Sequence, residues 1–314
     1  MRTYPEYSIV IPLYNEEENV PELVNRLSRL VDEAPYAIEF VFVDDGSSDR
    51  TVEELKNLVA TTAGRIVVLS RNFGHQTAVT AGLEHARGAA GALIIDGDLQ
   101  DPPELLLPMI ERMKEGYDVI YAVRRNRKES IGKRALYFIY YRLLKTMSDT
   151  MIPVDAGDFA LLSRRVVDIL NAMPEESRFL RGMRAWVGFR QVGYEYDRSE
   201  RAHGESKYTF RRLFKLAYDG IFNFSTAPVR LIRILGGVSM AGAGLYLFSV
   251  LLKKLIYGTV PEGFTALFAA IVLFSGVILF SLSVLGEYII RIFFEVKGRP
   301  KYIVSELYES DQRS

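Results

Sequence analysis

Residues 92–103 read Ala92-Leu93-Ile94-Ile95-Asp96-Gly97-Asp98-Leu99-Gln100-Asp101-Pro102-Pro103. Four apolar residues, expected as a buried strand, run straight into two carboxylates separated by one small residue, and two prolines then open a helix over Pro103 to Lys114. The same grammar recurs upstream. Tyr7 to Leu13 is expected as a strand followed by Asn15-Glu16 and a helix over Glu17 to Leu30, and Glu39 to Val43 as a strand followed by Asp44-Asp45 and a helix over Thr51 to Ala60. Arg65 to Leu69 is expected as a strand followed by Arg71-Asn72 and a helix over Gln76 to Ala86, with a fifth strand over Asp118 to Val123. Alternating strands and helices imply an α/β fold, a Rossmann-like, mostly parallel sheet covered by helices, with ligands gathering outside the carboxyl ends of the strands. All four polar clusters are therefore expected in one crevice.

Beyond Arg124 the alternation weakens, leaving a helical stretch near Ile131 to Thr146 and strands near Phe159 to Leu162 and Val192 to Tyr196. Residues 209–224 keep apolar Phe210, Leu213, Phe214, Ala217, Tyr218, Ile221 and Phe222 at helical spacing, as a helix lying on a membrane surface would. Ile234 to Leu252 and Phe264 to Leu285 contain no charged residue, and each is long enough to cross a hydrocarbon layer about 30 Å thick. The expected division is a cytosolic domain over 1–208, interface helices over 209–233, a two-span hairpin over 234–288 and a cytosolic tail over 289–314. Arg230, Arg233, Arg291, Lys297, Arg299 and Lys301 flank the expected inner ends. Lys253 and Lys254 are read into the short outer connection, within snorkelling reach of headgroups. Polar residues from Met1 onward run directly into the first strand, so no cleavable signal is expected and the large N-terminal part is expected to stay in the cytosol.

The chain has 314 residues, no cysteine, and 39 basic against 39 acidic side chains. Disulfides and thiolate metal sites are thereby excluded, and the balanced charge gives no sign of nucleic-acid binding. Two carboxylates spaced as in Asp96-Gly97-Asp98 suit a hard divalent cation, Mg2+ or Mn2+, bridging the phosphates of a nucleotide, and Gln100 can turn an amide oxygen to the same ion. A dinucleotide-binding dehydrogenase is excluded because Tyr14-Asn15-Glu16-Glu17 follows the first strand where a Gly-x-Gly-x-x-Gly turn would be required. His75 reads as structural, since no second histidine lies near it in sequence. Asp44 and Asp45 read equally as caps of the helix after Ser47-Ser48.

Five segments, Val10 to Glu16, Val43 to Asp49, Arg71 to Gly74, Asp96 to Pro103 and Gly204 to Tyr208, together resemble the polyisoprenyl-phosphate glycosyltransferases. That family includes dolichol-phosphate mannose synthase and bacterial undecaprenyl-phosphate sugar transferases. The resemblance implies a GT-A fold, a nucleotide-sugar donor, a divalent metal, inversion at the anomeric carbon, and an enzyme in the bacterial plasma membrane with its catalytic domain in the cytoplasm. Carried over, Pro12, Tyr14, Glu16, Asp44, Asp45, Arg71 and Asp96 would line the nucleotide-sugar pocket. Asp96, Asp98 and Gln100 would surround the metal, with Asp98 acting in catalysis; Arg124, at the end of the fifth expected strand, is a further catalytic candidate as a cation able to clamp phosphate oxygens.

Arg198, Arg201, Ser206 and Lys207 would hold the lipid phosphate and diphosphate. Asp158, with Asp155 as the alternative, is the candidate carboxylate near the acceptor. Glucose from a UDP donor is the first expectation, with UDP-linked aminoarabinose derivatives or GDP-mannose behind it; polyisoprenyl phosphate is the expected acceptor, and a homotetramer the assembly suggested by close relatives. The competing functions are a processive polysaccharide synthase and a non-catalytic sugar sensor. The former would carry more spans and a Gln-x-x-Arg-Trp motif, whereas the single tryptophan, Trp186, sits in Met183-Arg184-Ala185-Trp186.

Overall fold

The structure, a computed structural model, describes residues 5–59, 64–125, 156–176, 178–197, 227–258 and 263–310. The expected helix near Ile131 to Thr146, the interface helix over 209–224, Asp155, and the basic residues Arg198, Arg201 and Lys207 with Ser206 lie outside them. The chain forms two compact units, one built on the sheet and one on two long helices.

The sheet has eight strands: β1 (Tyr7–Leu13), β2 (Ile38–Asp44), β3 (Gly64–Leu69), β4 (Gly91–Ile94), β5 (Val119–Arg124), β6 (Ala156–Ser163), β7 (Gln191–Tyr196) and β8 (Val304–Glu309), in the order β7-β5-β6-β4-β1-β2-β3-β8. β1 pairs in parallel with β2 and β4, and β2 with β3; β6 runs antiparallel to β4 and β5, and β8 antiparallel to β3. The sheet is therefore mixed but mostly parallel, as the alternation implies. Every residue of β1 and β2 is buried, which is why both read as continuous apolar runs rather than alternating ones. Pro12 is tolerated in a central strand because the β1–β4 ladder ends at Val10, so its missing N–H falls beyond that pairing.

The covering helices are α1 (Val20–Glu33), α2 (Thr51–Val59), α3 (His75–His85), α4 (Leu106–Lys114), α5 (Arg164–Ala172) and α6 (Leu180–Val187). α1 shows how they dock: Val20, Leu23, Val24, Leu27 and Leu30 form one buried stripe, each fully buried aliphatic worth about 1.5–3 kcal/mol. A 3-10 turn over Pro103–Leu105 precedes α4, because Pro102 and Pro103 restrict the backbone before the helix can start. α5 and α6 have no counterpart in the sequence reading: each is under three turns long, and in α6 arginines interrupt the apolar stripe.

The stretch expected as a tail differs most from its reading. Its first residues continue the second long helix to Lys297, Gly298 closes that helix in the left-handed conformation (φ 58°), and β8 then returns to the sheet edge. Glu306 meets Lys56 at 3.3 Å and Glu309 meets Arg87 at 2.9 Å, so the exposed face of this edge strand is charged.

In the other unit, α7 (Ala227–Tyr257) and α8 (Phe264–Lys297) contain stretches of 27 and 28 residues long and apolar enough to cross a membrane. Many of their described apolar side chains are exposed, Leu255 being 84% and Val296 81% exposed. Lys253 and Lys254 lie within the last turns of α7 and not in the connection, because the helix continues to Tyr257. Leu255, Ile256 and Tyr257 carry the helical pattern past the two lysines.

Candidate active site

The carboxyl ends of β1 and β2 are locked to each other before any ligand is considered. Asn15 donates its backbone N–H to Ser47 Oγ (2.9 Å) and accepts the Ser48 N–H on Oδ1 (2.9 Å), while the Glu16 N–H reaches Thr51 Oγ1 (2.9 Å). Asn15 adopts φ 53°, a left-handed conformation its short amide side chain tolerates. Tyr14 is left 41% exposed over this platform, and Glu16 accepts a hydrogen bond from Asn19 Nδ2 at 2.5 Å.

Asp44 and Asp45 have different duties. Asp44 is 1% exposed; its Oδ2 accepts the Ser47 N–H at 3.0 Å, whereas Oδ1 has no hydrogen-bond partner. Burial pushes its carboxyl above the usual carboxylate range, partly offset by the bonds from Ser47. Asp45 accepts the N–H groups of Phe73 (2.7 Å) and Gly74 (2.9 Å), one on each oxygen, and so fixes the β3–α3 loop. Gly46, at φ 69°, lets that loop come close: a Cβ there would stand 2.4 Å from the Arg71 carbonyl carbon. Arg71 itself is exposed and stacks its guanidinium on the Phe73 ring at 3.9 Å.

At β4 the same close packing explains the glycine between the two aspartates. A Cβ on Gly97 would sit 2.2 Å from Leu13 Cδ2, so glycine lets the Asp96–Asp98 turn rest on β1 without displacing the Leu13 side chain. Leu99 is held at φ 58°, a conformation that costs a non-glycine residue free energy, and the Gln100 N–H folds back onto Asp98 Oδ1 at 3.2 Å. Asp96 Oδ1 is buried without a hydrogen bond, its nearest cation being His75 Nε2 at 3.6 Å. Burial raises the Asp96 carboxyl, and His75 pulls it back down.

His75, the first residue of α3, also lies 3.5 Å from Asp158 Oδ2. Partial desolvation of the 43% exposed ring opposes its protonation, but the hydrogen bond to Asp158 and the charges of Asp96 and Asp158 raise it to about 9. Asp158 is clamped by Arg181, whose Nε donates at 2.8 Å and NH2 at 3.1 Å, and by Gln76 Nε2 at 3.1 Å. Burial works against ionisation there, yet Arg181 and His75 hold the carboxyl well below its usual range. Arg184, 4% exposed, donates to the Gly157 carbonyl at 3.3 Å, and burial lowers it to about 10. A permanently ionised carboxylate beside two arginines can orient charged groups; it is a poor proton acceptor.

The four expected clusters thus do meet at the carboxyl ends of the parallel strands. Pro12 is buried in β1, Tyr14, Glu16 and Asp44 surround the β1–β2 end, and Asp96, Asp98 and Gln100 form the adjacent turn. Arg124 ends β5, paired with Tyr196 of β7. His75 and Arg181 are the residues that reading along the sequence missed: each meets Asp158 only because α3, β6 and α6 are packed together, and no local spacing signals it. Among the described residues no group of three or more His, Asp or Glu is poised for a metal. Two carboxylates and an amide do fit a hard cation that takes its remaining ligands from phosphate and water, and the unsatisfied Asp96 Oδ1 is an acceptor such an ion would use.

Residues 8–170 match the Glycosyl transferase family 2 profile. The chain is similar to an uncharacterized glycosyltransferase of Bacillus subtilis, YkcC, with 46% identity over 98% of this chain and 96% of that one. It is 38% identical to the SfII prophage-derived bactoprenol glucosyl transferase of Shigella flexneri, across 97% of this chain and 99% of the other. Among solved structures, it is similar to glucosyl-3-phosphoglycerate synthase from Mycobacterium tuberculosis in complex with Mn2+, UDP and glucosyl-3-phosphoglycerate. That likeness has a TM-score of 0.46 and 19% identity, over 69% of this chain and 78% of that one.

Proposed function

The chain belongs to Glycosyl transferase family 2, and from that premise we propose that it moves one sugar, glucose from UDP-glucose, onto a polyisoprenyl phosphate with inversion at the anomeric carbon. The observation that carries this reading is the pair of buried carboxylate oxygens without a hydrogen bond at the carboxyl ends of β2 and β4, Asp44 Oδ1 and Asp96 Oδ1. Buried acceptors without donors are costly, and a nucleoside N–H or hydroxyl at Asp44 and a cation at Asp96 would satisfy both. The acceptor assignment draws on the name of the Shigella relative, which aligns over nearly its full length, and on the two apolar helices. Full-length similarity to a bactoprenol glucosyl transferase favours neither a processive synthase nor a non-catalytic sensor.

In this reading Pro12, Tyr14, Glu16 and Asp44 receive the base and ribose, while Asp45 shapes the loop bearing Arg71. Asp96, Asp98 and Gln100 would hold Mg2+ or Mn2+, which when bound offsets the negative charge of the diphosphate. A lipid-phosphate oxygen attacks the anomeric carbon from the face opposite the nucleotide; the new carbon–oxygen bond forms as the bond to the β-phosphate oxygen breaks. Arg124, Arg198, Arg201 and Lys207, with Ser206, stabilise the phosphates of acceptor and leaving group. A phosphate monoester is largely ionised at neutral pH, so Asp158 need take no proton and instead orients its neighbours. α7 and α8 span the membrane as a hairpin in a bacterial plasma membrane, with the sheet unit on the cytoplasmic face, and the assembly is a homotetramer.

The purified protein, incubated with undecaprenyl phosphate and a panel of nucleotide-sugars, is expected to yield a lipid product heavier by one hexose with UDP-glucose. Nucleotide release without a heavier lipid would sink the acceptor, and product from another donor alone would sink the glucose assignment.

A further inference from the structure

Tyr196, the last residue of β7, touches three parts of the site that are far apart in sequence. Its hydroxyl donates to Asp101 Oδ1, and Asp101 is only 2% exposed at the end of the Asp96–Asp101 turn. Its ring meets Phe159 edge-on, centroids 5.6 Å apart, and Phe159 directly follows Asp158. Its backbone pairs with Arg124, and its carbonyl accepts the Arg125 N–H at 3.0 Å. It also stands two residues before Arg198, where the basic segment begins.

We infer that Tyr196 is a positioning residue: its hydroxyl pins the turn that carries Asp96, Asp98 and Gln100, and so sets how tightly that turn binds a cation together with a nucleoside diphosphate. The turn needs pinning. Leu99 is held at φ 58°, and a non-glycine residue stays in that region only where its surroundings over-determine the backbone. Asp101 lies in the same stretch, two residues on, so a bond to its carboxylate restrains the strained residue from the side opposite Asp98. A single hydroxyl at the end of a strand thereby aligns the metal turn with β5 and β6, the strands bearing Arg124 and Asp158.

This inference rests on the nucleotide-sugar reading of the site, and one titration separates the two. UDP binding is measured calorimetrically on the full chain in detergent, once with Mn2+ and once with excess EDTA. Tyr196→Phe is expected to weaken Mn2+-dependent UDP binding roughly tenfold, the scale of one hydrogen bond to a buried charge, and to leave binding in EDTA within about twofold. Asp101→Asn, which keeps an acceptor for the hydroxyl but removes its charge, is expected to lose less Mn2+-dependent binding than Tyr196→Phe, about threefold, and to bind within about twofold of wild type in EDTA. Equal loss in both arms for Tyr196→Phe would mean a general structural role and overturn the inference, as would unchanged Mn2+-dependent binding. If Asp101→Asn lost as much as Tyr196→Phe, the Asp101 charge itself would be required and the positioning role would fail. A wild-type protein that binds no UDP in either arm would sink the functional reading instead.

Discussion

Buried carboxylates occur at both ends of this sheet, and the two ends treat them differently. At the amino-terminal end, Glu39 is 7% exposed and saturated. Ser8 Oγ and the Arg87 N–H each donate to Oε1 at 2.5 Å, and Arg65 approaches Oε2 at 3.3 Å. At the carboxyl end, Asp44 and Asp96 each keep one buried oxygen without a hydrogen bond. A satisfied buried network specifies a fold; an unsatisfied one lowers stability unless a ligand completes it. The contrast teaches where to look for chemistry in this molecule, since burial alone would have ranked Glu39 with Asp44.

Four substitutions test that contrast. The largest effect on folding is expected from Glu39→Ala, which leaves Arg65 buried without its main partner and should cost about 3 kcal/mol in chemical denaturation. Nucleotide binding by the molecules that remain folded should be unchanged. Asp96→Asn should do the reverse: transfer falls roughly 10²–10³-fold, while the melting temperature of the metal-free protein equals or exceeds that of wild type. Its folded-state carboxyl is raised by burial, so the charge it removes at neutral pH is a destabilising one. A drop in melting temperature as large as that of Glu39→Ala would erase the distinction between the two ends.

Arg181→Met probes a carboxylate at the same end that is clamped by an arginine. Asp158 would keep its burial and lose its bidentate partner, so a cost of about 2 kcal/mol is expected, together with a rise of the Asp158 carboxyl towards neutral pH in a titration followed by NMR. An unshifted Asp158 would show that Gln76 and His75 suffice to hold it ionised.

The smallest effect is the pH dependence contributed by His75. Its folded-state value, about 9, lies above the ordinary 6.5, so its contribution to stability is complete below about pH 6.5 and is lost as pH rises through about 9. In EDTA, wild type should therefore exceed His75→Gln in stability at pH 6 and converge with it by pH 10. The difference should stay under about 1 kcal/mol, because the ring is 43% exposed and solvent screens it. A gap that widened with pH would reverse the assignment of its partners.

Much of this molecule was legible from local pattern. The apolar runs of β1, β2 and β3 and the amphipathic stripe of α1 identify themselves by period, and Asp96-Gly97-Asp98 declares its place by following one of those runs. α7 and α8 are readable from length alone. β8 is not: Val-Ser-Glu-Leu-Tyr-Glu is short and carries two glutamates among its six residues, and it becomes a strand only because β3 offers an open edge. Lys253 and Lys254 suggested the end of a helix because charge breaks an apolar run, yet the backbone hydrogen bonds of a helix are indifferent to that charge.

By itself the sequence determined which segments are buried strands, which carboxylates stand at their ends, and that an α/β unit is joined to two apolar helices. These are properties of period and composition, carried by neighbours a few residues apart. Only the tertiary structure decided that Asp45 serves a loop while Asp44 keeps an oxygen open, that His75 stands between Asp96 and Asp158, and that Tyr196 reaches Asp101. Each of those depends on which surfaces meet when helices dock on the sheet, and a hydrogen bond between residues 20 to 100 positions apart is selected by that packing rather than by any local preference of the chain.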